Sequence, residues 1–196
     1  MSHSMTIQQS LYDGKLISLG PIDFDKDPEI EARWTNDPGF LRALLITPAI
    51  PRSPAKVKKN YEAIEKAIEE QKNQFYFTVR SMEDDHLLGF AHLEWIEWNH
   101  GNGNLKIAIG DPDDRDKGYG SQVMLLMLRF AFEELNLFRL TVTIGEDNLR
   151  AIRFFTRFGF IEEVRRRKAL LRDGKEWDIL DLGLLRDEWQ KETSTE

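Results

Sequence analysis

The chain has 196 residues, of which 41% are hydrophobic and 31% are charged, and its net charge is −7. This composition excludes an intrinsically disordered chain. The sequence contains no run of about 18 apolar residues, so no membrane partner is expected. Phosphate binding normally needs clustered Lys and Arg, so the acidic balance argues against a nucleic-acid partner. The chain has no cysteine, which excludes a disulfide framework and a thiol nucleophile and fits a cytoplasmic protein.

Hydrophobic periodicity and turn signals predict an alternation of strands and helices along one domain over residues 1–196, with flexible ends at about 1–10 and 190–196. In the first half we predict a strand over 15–19, a helix over 27–34, a packed loop over 40–51, a helix over 54–72, and strands over 75–79 and 87–95. In the second half we predict a strand over 105–109, a helix over 118–136, a strand over 140–144, a helix over 148–159, and strands over 160–171 and 175–185. This order predicts a three-layer α+β fold, in which helices cover both faces of a mixed, mostly antiparallel sheet of about seven strands.

The most informative stretch lies between an apolar strand and a long helix. It consists of Arg115, Asp116, Lys117, Gly118, Tyr119, Gly120 and Ser121. The two glycines at a helix start let the backbone bend, so that consecutive N–H groups can point at an anion. The positive end of the helix dipole would suit a pyrophosphate there. On these residues alone, an anion site and a plain turn both remain open.

Two motifs in this order carry a family resemblance. The pattern Arg-x-x-Gly-x-Gly after a strand resembles motif A of the GCN5-related N-acetyltransferases, in which these amides hold the coenzyme A pyrophosphate. Residues 148–160 resemble motif B of that family, with an asparagine, Arg-Ala-Ile, an aromatic pair, a basic residue and Gly-Phe. The C-terminal hairpin resembles the branch of ribosomal-protein alanine N-acetyltransferases (RimJ/RimL-like).

The resemblance implies that acetyl-coenzyme A is the cosubstrate, without a metal. Strands 105–109 and 140–144 would splay apart and leave an opening for the pantetheine arm along Ile107 and Ile109. A backbone N–H near Ile109 would then polarise the thioester carbonyl, because preorganised donors meet charge as it develops. The cofactor-binding residues implied in this way are Ile107, Ala108, Ile109, Arg115, Asp116, Lys117, Gly118, Tyr119, Gly120, Ser121, Asn148, Ala151, Phe154, Phe155 and Arg157.

The catalytic groups are less well marked in the sequence. Many family members place a tyrosine acid where this chain has Phe155, whose ring cannot donate a proton. The coenzyme thiol should have a pKa near 8.5, so its departure as a thiolate costs only about 2 kcal/mol at pH 7. An acid that protonates the leaving thiolate is therefore useful without being essential. The candidate bases are Glu94 and Glu97, with His92 beside them. For both glutamates, a solvated strand edge is the alternative interpretation.

Three functions remain open from the sequence. The first is acetylation of an amine acceptor that is a protein or peptide N-terminus, and the second is acetylation of a small amine such as a polyamine. The third is an acyl-coenzyme A binding module without catalysis. The four histidines lack the spacing of metal ligands, and a monomer or a homodimer is expected.

Overall fold

The computed structural model describes residues 10–45 and 48–193. The ends predicted to be flexible lie largely outside the described residues. Within the described residues, seven strands form one sheet in the order β1-β2-β3-β4-β5-β7-β6, in which only the β4–β5 pair is parallel. The strands are β1 Ile17–Gly20, β2 Phe75–Ser81, β3 Leu87–Glu97, β4 Asn102–Ile109, β5 Arg139–Gly145, β6 Ile161–Arg172 and β7 Lys175–Leu185. The predicted mixed, mostly antiparallel sheet is therefore confirmed.

Helices cover both faces of this sheet. They are α1 Asp27–Trp34, α2 Pro38–Ala43, α3 Pro54–Gln71, α4 Tyr119–Arg129, α5 Leu149–Arg157 and α6 Arg186–Thr193. Neighbouring residues of β3 point to opposite faces: Phe90 packs with Trp34 of α1, whereas Ala91 belongs to the core that contains Val123 of α4. Trp34 also packs so closely over Gly110 that a Cβ there would overlap the indole. The end of β4 therefore requires a glycine at this position.

The segment predicted as a packed loop over 40–51 begins with the end of a short helix. In α2, the Asp37 side chain accepts a hydrogen bond from the Gly39 N–H at 2.8 Å, and Pro38 occupies the first turn. Phe40 and Leu41 are buried by this turn. An N-cap followed by proline is a helix start, so the loop prediction is wrong for residues 40–43, which belong to α2.

The long helix predicted over 118–136 changes its hydrogen bonding partway along. After α4, residues Phe130–Glu134 form a π-helical turn, in which the Leu135 N–H bonds to the Phe130 carbonyl at 3.0 Å. Phe130 and Phe132 are both buried there. An apolar periodicity cannot distinguish this wider turn from a continuous α-helix, because both bury the same side of the segment. Among the described residues, no helix has the length and apolar character needed to cross a bilayer.

Candidate active site

The parallel strands β4 and β5 separate partway along the sheet. They pair only at Asn102 with Arg139, Gly103 with Leu140 and Asn104 with Thr141. Beyond Asn104, β4 continues without a described strand partner on its β5 side. The predicted splay between 105–109 and 140–144 is therefore confirmed. An unpaired strand edge offers N–H and C=O groups to an extended ligand, as the pantetheine amides require.

The glycine loop lies beside the wide end of this opening. Gly118 has φ +88° and is the N-cap of α4, whereas Gly120 lies within the first turn and has no positive φ. The expectation that both glycines form the bend is thus half right, because only Gly118 needs the left-handed region. No side chain of the described residues caps this helix end. Its first N–H groups and its dipole are therefore available to an anion.

Side chains around the loop hold it to neighbouring elements. Arg115 donates from Nη2 to the Gly110 carbonyl at 2.8 Å, which fixes the loop to the end of β4. Lys117 Nζ lies 3.3 Å from the Asp114 carboxylate, and Asp116 pairs with Arg150 at 3.0 Å. These three charged side chains already have protein partners. Their predicted contacts with the cofactor remain a prediction, and the backbone N–H groups are better placed for phosphate.

The two predicted motifs meet between α4 and α5. Arg157 donates from Nη2 to the Ser121 hydroxyl at 3.2 Å, and the Phe154 ring lies 3.7 Å from the place of a Cβ on Gly120. Asn148 accepts from the Ala151 N–H at 3.1 Å and so caps α5 as expected. A phosphate that approaches Gly120 would therefore meet the uncapped N-terminus of α4, with the Phe154 ring beside it.

The ring that replaces the family's tyrosine lies in the protein core. Phe155 is 7% exposed and packs edge-on against Phe160, with ring centroids 5.4 Å apart. Its role toward the cofactor remains a prediction. Phe155 brings no proton donor, so any acid for the leaving thiolate must come from elsewhere.

The two candidate bases have different environments. Glu94 is buried and faces Asn104, the last β4 residue that pairs with β5. Its Oε1 lies 2.6 Å from Lys106 Nζ and accepts from Asn104 Nδ2 at 3.3 Å. Glu97 is exposed and accepts from Asn102 Nδ2 at 2.9 Å. The solvated-edge interpretation fits Glu97 and is wrong for Glu94, which stands where the sheet divides.

A bulge in β3 adds an exposed aromatic ring beside Glu94. The register between β3 and β4 shifts between Glu94 and Glu97, and Trp95 in between has φ +53° and is 66% exposed. Lys106 Nζ lies 5.4 Å from the centroid of its indole ring. Left-handed backbone at a non-glycine residue costs about 1–3 kcal/mol, and here it accompanies the extra residue that the bulge inserts into β3. The alternating sequence pattern of β3 gave no signal of this bulge.

An open cavity lies on the same face of the sheet. Glu94, Asn104 and Thr141 stand opposite one another on adjacent strands, and the cavity of about 650 Å³ extends from there across the sheet. We call it the acceptor-side cavity. It is lined by Asn73, Trp95, Ile96, Glu97, Asn102, Gly103, Asn104, Thr141, Thr143, Arg166 and Asp181. Among residues 10–45 and 48–193, no three His, Asp or Glu side chains are grouped as metal ligands.

Comparison with known proteins decides the family. The model of the acetyltransferase (GNAT) domain matches residues 17–161. The chain belongs to this family. YokL of Bacillus subtilis (strain 168), an uncharacterized N-acetyltransferase derived from prophage SPbeta, is 27% identical over 140 residues, which cover 71% of this chain and 75% of YokL. The putative ribosomal N-acetyltransferase YdaF of the same strain is 33% identical over 94 residues, covering 45% of this chain and 50% of YdaF.

Solved structures agree with this fold. The spermidine N-acetyltransferase of Vibrio cholerae, in complex with CoA and spermine, superimposes with a TM-score of 0.77 at 18% identity. The superposition covers 90% of this chain and 99% of that one. The family match and the N-acetyltransferase relatives show that this chain is an acetyl-CoA-dependent N-acetyltransferase. Its free α4 N-terminus and unpaired β4 edge fit acetyl-CoA, since they offer N–H donors to the pyrophosphate and to the pantetheine amides.

Acetyl-CoA is expected to raise the melting temperature of this acetyltransferase by roughly 5 to 10 °C at 100 times its dissociation constant. A ligand that binds only the folded state stabilises it by about 2.7 kcal/mol under that condition, and a chain of this length gains roughly 2–4 °C per kcal/mol. Differential scanning fluorimetry with acetyl-CoA, CoA and pantetheine measures the shift. An unchanged melting temperature at millimolar acetyl-CoA would contradict the cofactor site.

Burial of His92 is expected to make the fold sensitive to acid. Burial lowers the pKa of His92 to about 4, although Glu94 opposes the shift, and its Nε2 lies 2.9 Å from Gln74 Oε1. Below pH 6.5 the unfolded chain gains a proton that the folded state does not accept until about pH 4, so stability falls as the pH falls through this window. The full loss is about 3 kcal/mol. Urea denaturation at about pH 7 and pH 4.5 should show a smaller pH difference in His92→Gln than in the parent, whereas the exposed His100→Gln should keep it.

Proposed function

We propose that the enzyme acetylates the N-terminal amine of a peptide or protein in the cytoplasm, by direct attack in a ternary complex. The observation that carries this proposal is the buried Glu94 at the division of β4 from β5, beside an open cavity whose charges are nearly balanced. The lack of cysteine supports the location. The relatives act on amines of different kinds, so the choice of acceptor depends on the properties of this cavity.

The charge of the cavity favours an acceptor with one positive charge. Glu94, Glu97 and Asp181 supply three carboxylates at or beside the cavity, and two of them have a cationic neighbour. Lys106 lies 2.6 Å from Glu94, and Arg166 lies 3.6 Å from Asp181. Three negative charges against two positive charges leave a single negative charge. A polyamine carries several cations and would need more free carboxylates to balance them.

The proton balance also favours an α-amine. At pH 7 an α-amine with a pKa near 8 loses its proton for about 1 kcal/mol, whereas a lysine amine near 10.4 needs about 4 to 5 kcal/mol. Bound acetyl-CoA supplies the acetyl group as an activated thioester. Glu94 is placed to accept the proton that the attacking amine releases, and Lys106 and Asn104 hold its carboxylate in position. Because Phe155 has no hydroxyl, the thiolate leaves without that acid, at a cost of about 2 kcal/mol.

A small amine is the second candidate. It is favoured by the structural likeness to the Vibrio cholerae enzyme, which was solved with CoA and spermine. That likeness at 18% identity concerns the fold, and two of the three carboxylates at the cavity are balanced in this chain. A binding module without catalysis is the third candidate, since Phe155 removes the usual acid.

A screen of acceptors tests the three candidates together. Release of free CoA thiol would be measured with short N-terminal peptides, with the same peptides blocked at the N-terminus but carrying a lysine, and with spermidine and spermine. We expect the free peptides to give the highest kcat/KM and the blocked peptides to give little turnover. Preference for the polyamines would overturn the proposed acceptor. Cofactor binding without any turnover would favour the binding module.

A further inference from the structure

We infer that Arg166 selects acceptor peptides with an acidic side chain at position 2, 3 or 4, counted from the residue that bears the acetylated amine. The inference deepens the proposed function and rests on it. Arg166 lies on β6, lines the acceptor-side cavity and is the cation at the end of the cavity farthest from Glu94. The β3 end therefore keeps one net negative charge from Glu94, Glu97 and Lys106, whereas the β6 end presents a guanidinium beside Asp181.

Arg166 keeps hydrogen-bonding capacity for a ligand. Its side chain is 51% exposed, and the nearest carboxylate, Asp181, is 3.6 Å from Nη2, which is longer than a hydrogen bond. Asp181 also accepts from the Thr143 hydroxyl at 2.8 Å. A guanidinium has five N–H donors in a fork that matches a carboxylate. Arg166 can therefore bind a second carboxylate without breaking a buried contact.

Two nearby cations on β6, Arg165 and Lys168, are already paired with carboxylates. Arg165 donates to Glu162, Glu146 and Asp178 at 2.8–3.0 Å, and these contacts raise its pKa above the usual arginine value. Lys168 lies 2.5 Å from Glu176. Neither side chain lines the cavity. Of the basic run at 165–168, Arg166 is the member that lines the cavity in the structure.

The span of the cavity sets the position of the acidic residue. From β4, where the sheet divides, to β6 there are three steps between neighbouring strands. Strands lie about 4.8 Å apart, so the sideways distance is about 14 Å. Arg166 is also in register, through Ile179, with Gly145, four residues along β5 from Thr141. The backbone of Arg166 is therefore about 19 Å from Asn104, which an extended peptide covers in about six residues. The Arg166 side chain and the acidic side chain of the peptide each cover part of this distance, so fewer peptide residues are needed. The acidic residue is therefore expected at position 2, 3 or 4.

Matched peptides test the inference on the intact enzyme. Each peptide begins with alanine and carries glutamate, glutamine or lysine at position 2, 3 or 4, with neutral residues elsewhere. At one of these positions we expect kcat/KM to be about tenfold higher for glutamate than for glutamine, as for a charge-assisted hydrogen bond. Arg166→Gln should bring this ratio close to one, and Arg166→Glu should favour the lysine peptide. Arg167→Gln is the matched control, because the next residue along β6 does not line the cavity, and it should keep the ratio.

The outcomes separate this inference from the proposed function. Equal turnover of the glutamate, glutamine and lysine peptides would overturn the inference and leave N-terminal acetylation intact. A glutamate preference that survives Arg166→Gln would also overturn it. Turnover of polyamines but of no peptide would overturn the proposed function and the inference with it. Melting temperature and acetyl-CoA affinity, measured for each variant, show that the fold is unchanged.

Discussion

Glu94→Gln is expected to lower kcat by about 10²- to 10⁴-fold, with the dissociation constant for acetyl-CoA unchanged. Glutamine keeps the size of the side chain and can still contact Asn104, but it cannot accept the proton of the attacking amine. Lys106 loses its carboxylate partner, yet it is 39% exposed and stays hydrated, so folding should be little affected. Steady-state turnover at saturating acetyl-CoA, together with direct binding of acetyl-CoA, measures both quantities.

The matched control for Glu94 is its neighbour across the bulge. Glu97→Gln removes a carboxylate that lines the acceptor-side cavity, whereas Glu94 lies beside it. The Glu97 side chain is exposed and bonds only to Asn102 among the described contacts. We expect less than a tenfold change in kcat for Glu97→Gln. Equal losses of kcat in the two variants would indicate that catalysis depends on the total negative charge near the cavity, and would argue against Glu94 as the proton acceptor. The defect of Glu94→Gln should also shrink at high pH, where the acceptor amine is already deprotonated and hydroxide can take the proton released on attack.

The turn and the helix cap in the predicted cofactor half could be read from the sequence because their signals are local. Gly118 and Asn148 act on the backbone within three residues of themselves, so turn and cap chemistry can be read directly from the sequence. The apolar strands also follow from local periodicity. The splay between β4 and β5 came from the family resemblance, and the register that ends at Asn104 and Thr141 confirms it.

The acceptor side was harder to predict because its residues come from distant parts of the chain. Thr141 on β5, Asp181 on β7 and Arg166 on β6 meet at the cavity only through the strand order of the sheet. The bulge that exposes Trp95 adds one residue to β3, and an alternating pattern gives no sign of such an insertion. Burial of Glu94 depends on Lys106 and Asn104 across the strand pair, and the sequence alone could not distinguish it from the exposed Glu97.

Gly120→Val is expected to weaken acetyl-CoA binding by more than tenfold, with a change of only a few degrees in melting temperature. Gly120 has helical backbone, and a Cβ there would lie 3.7 Å from the Phe154 ring, an ordinary contact that permits folding. The added side chain would instead occupy the open end of α4, where backbone N–H groups are available to a phosphate.

Gly118→Ala is the contrasting variant. Its φ of +88° makes any side chain strained by roughly 1–2 kcal/mol, so its main loss should be in stability. Binding of acetyl-CoA and thermal melting of both variants give the comparison, and parallel losses of affinity and stability in Gly120→Val would show that this glycine serves the turn rather than the cofactor.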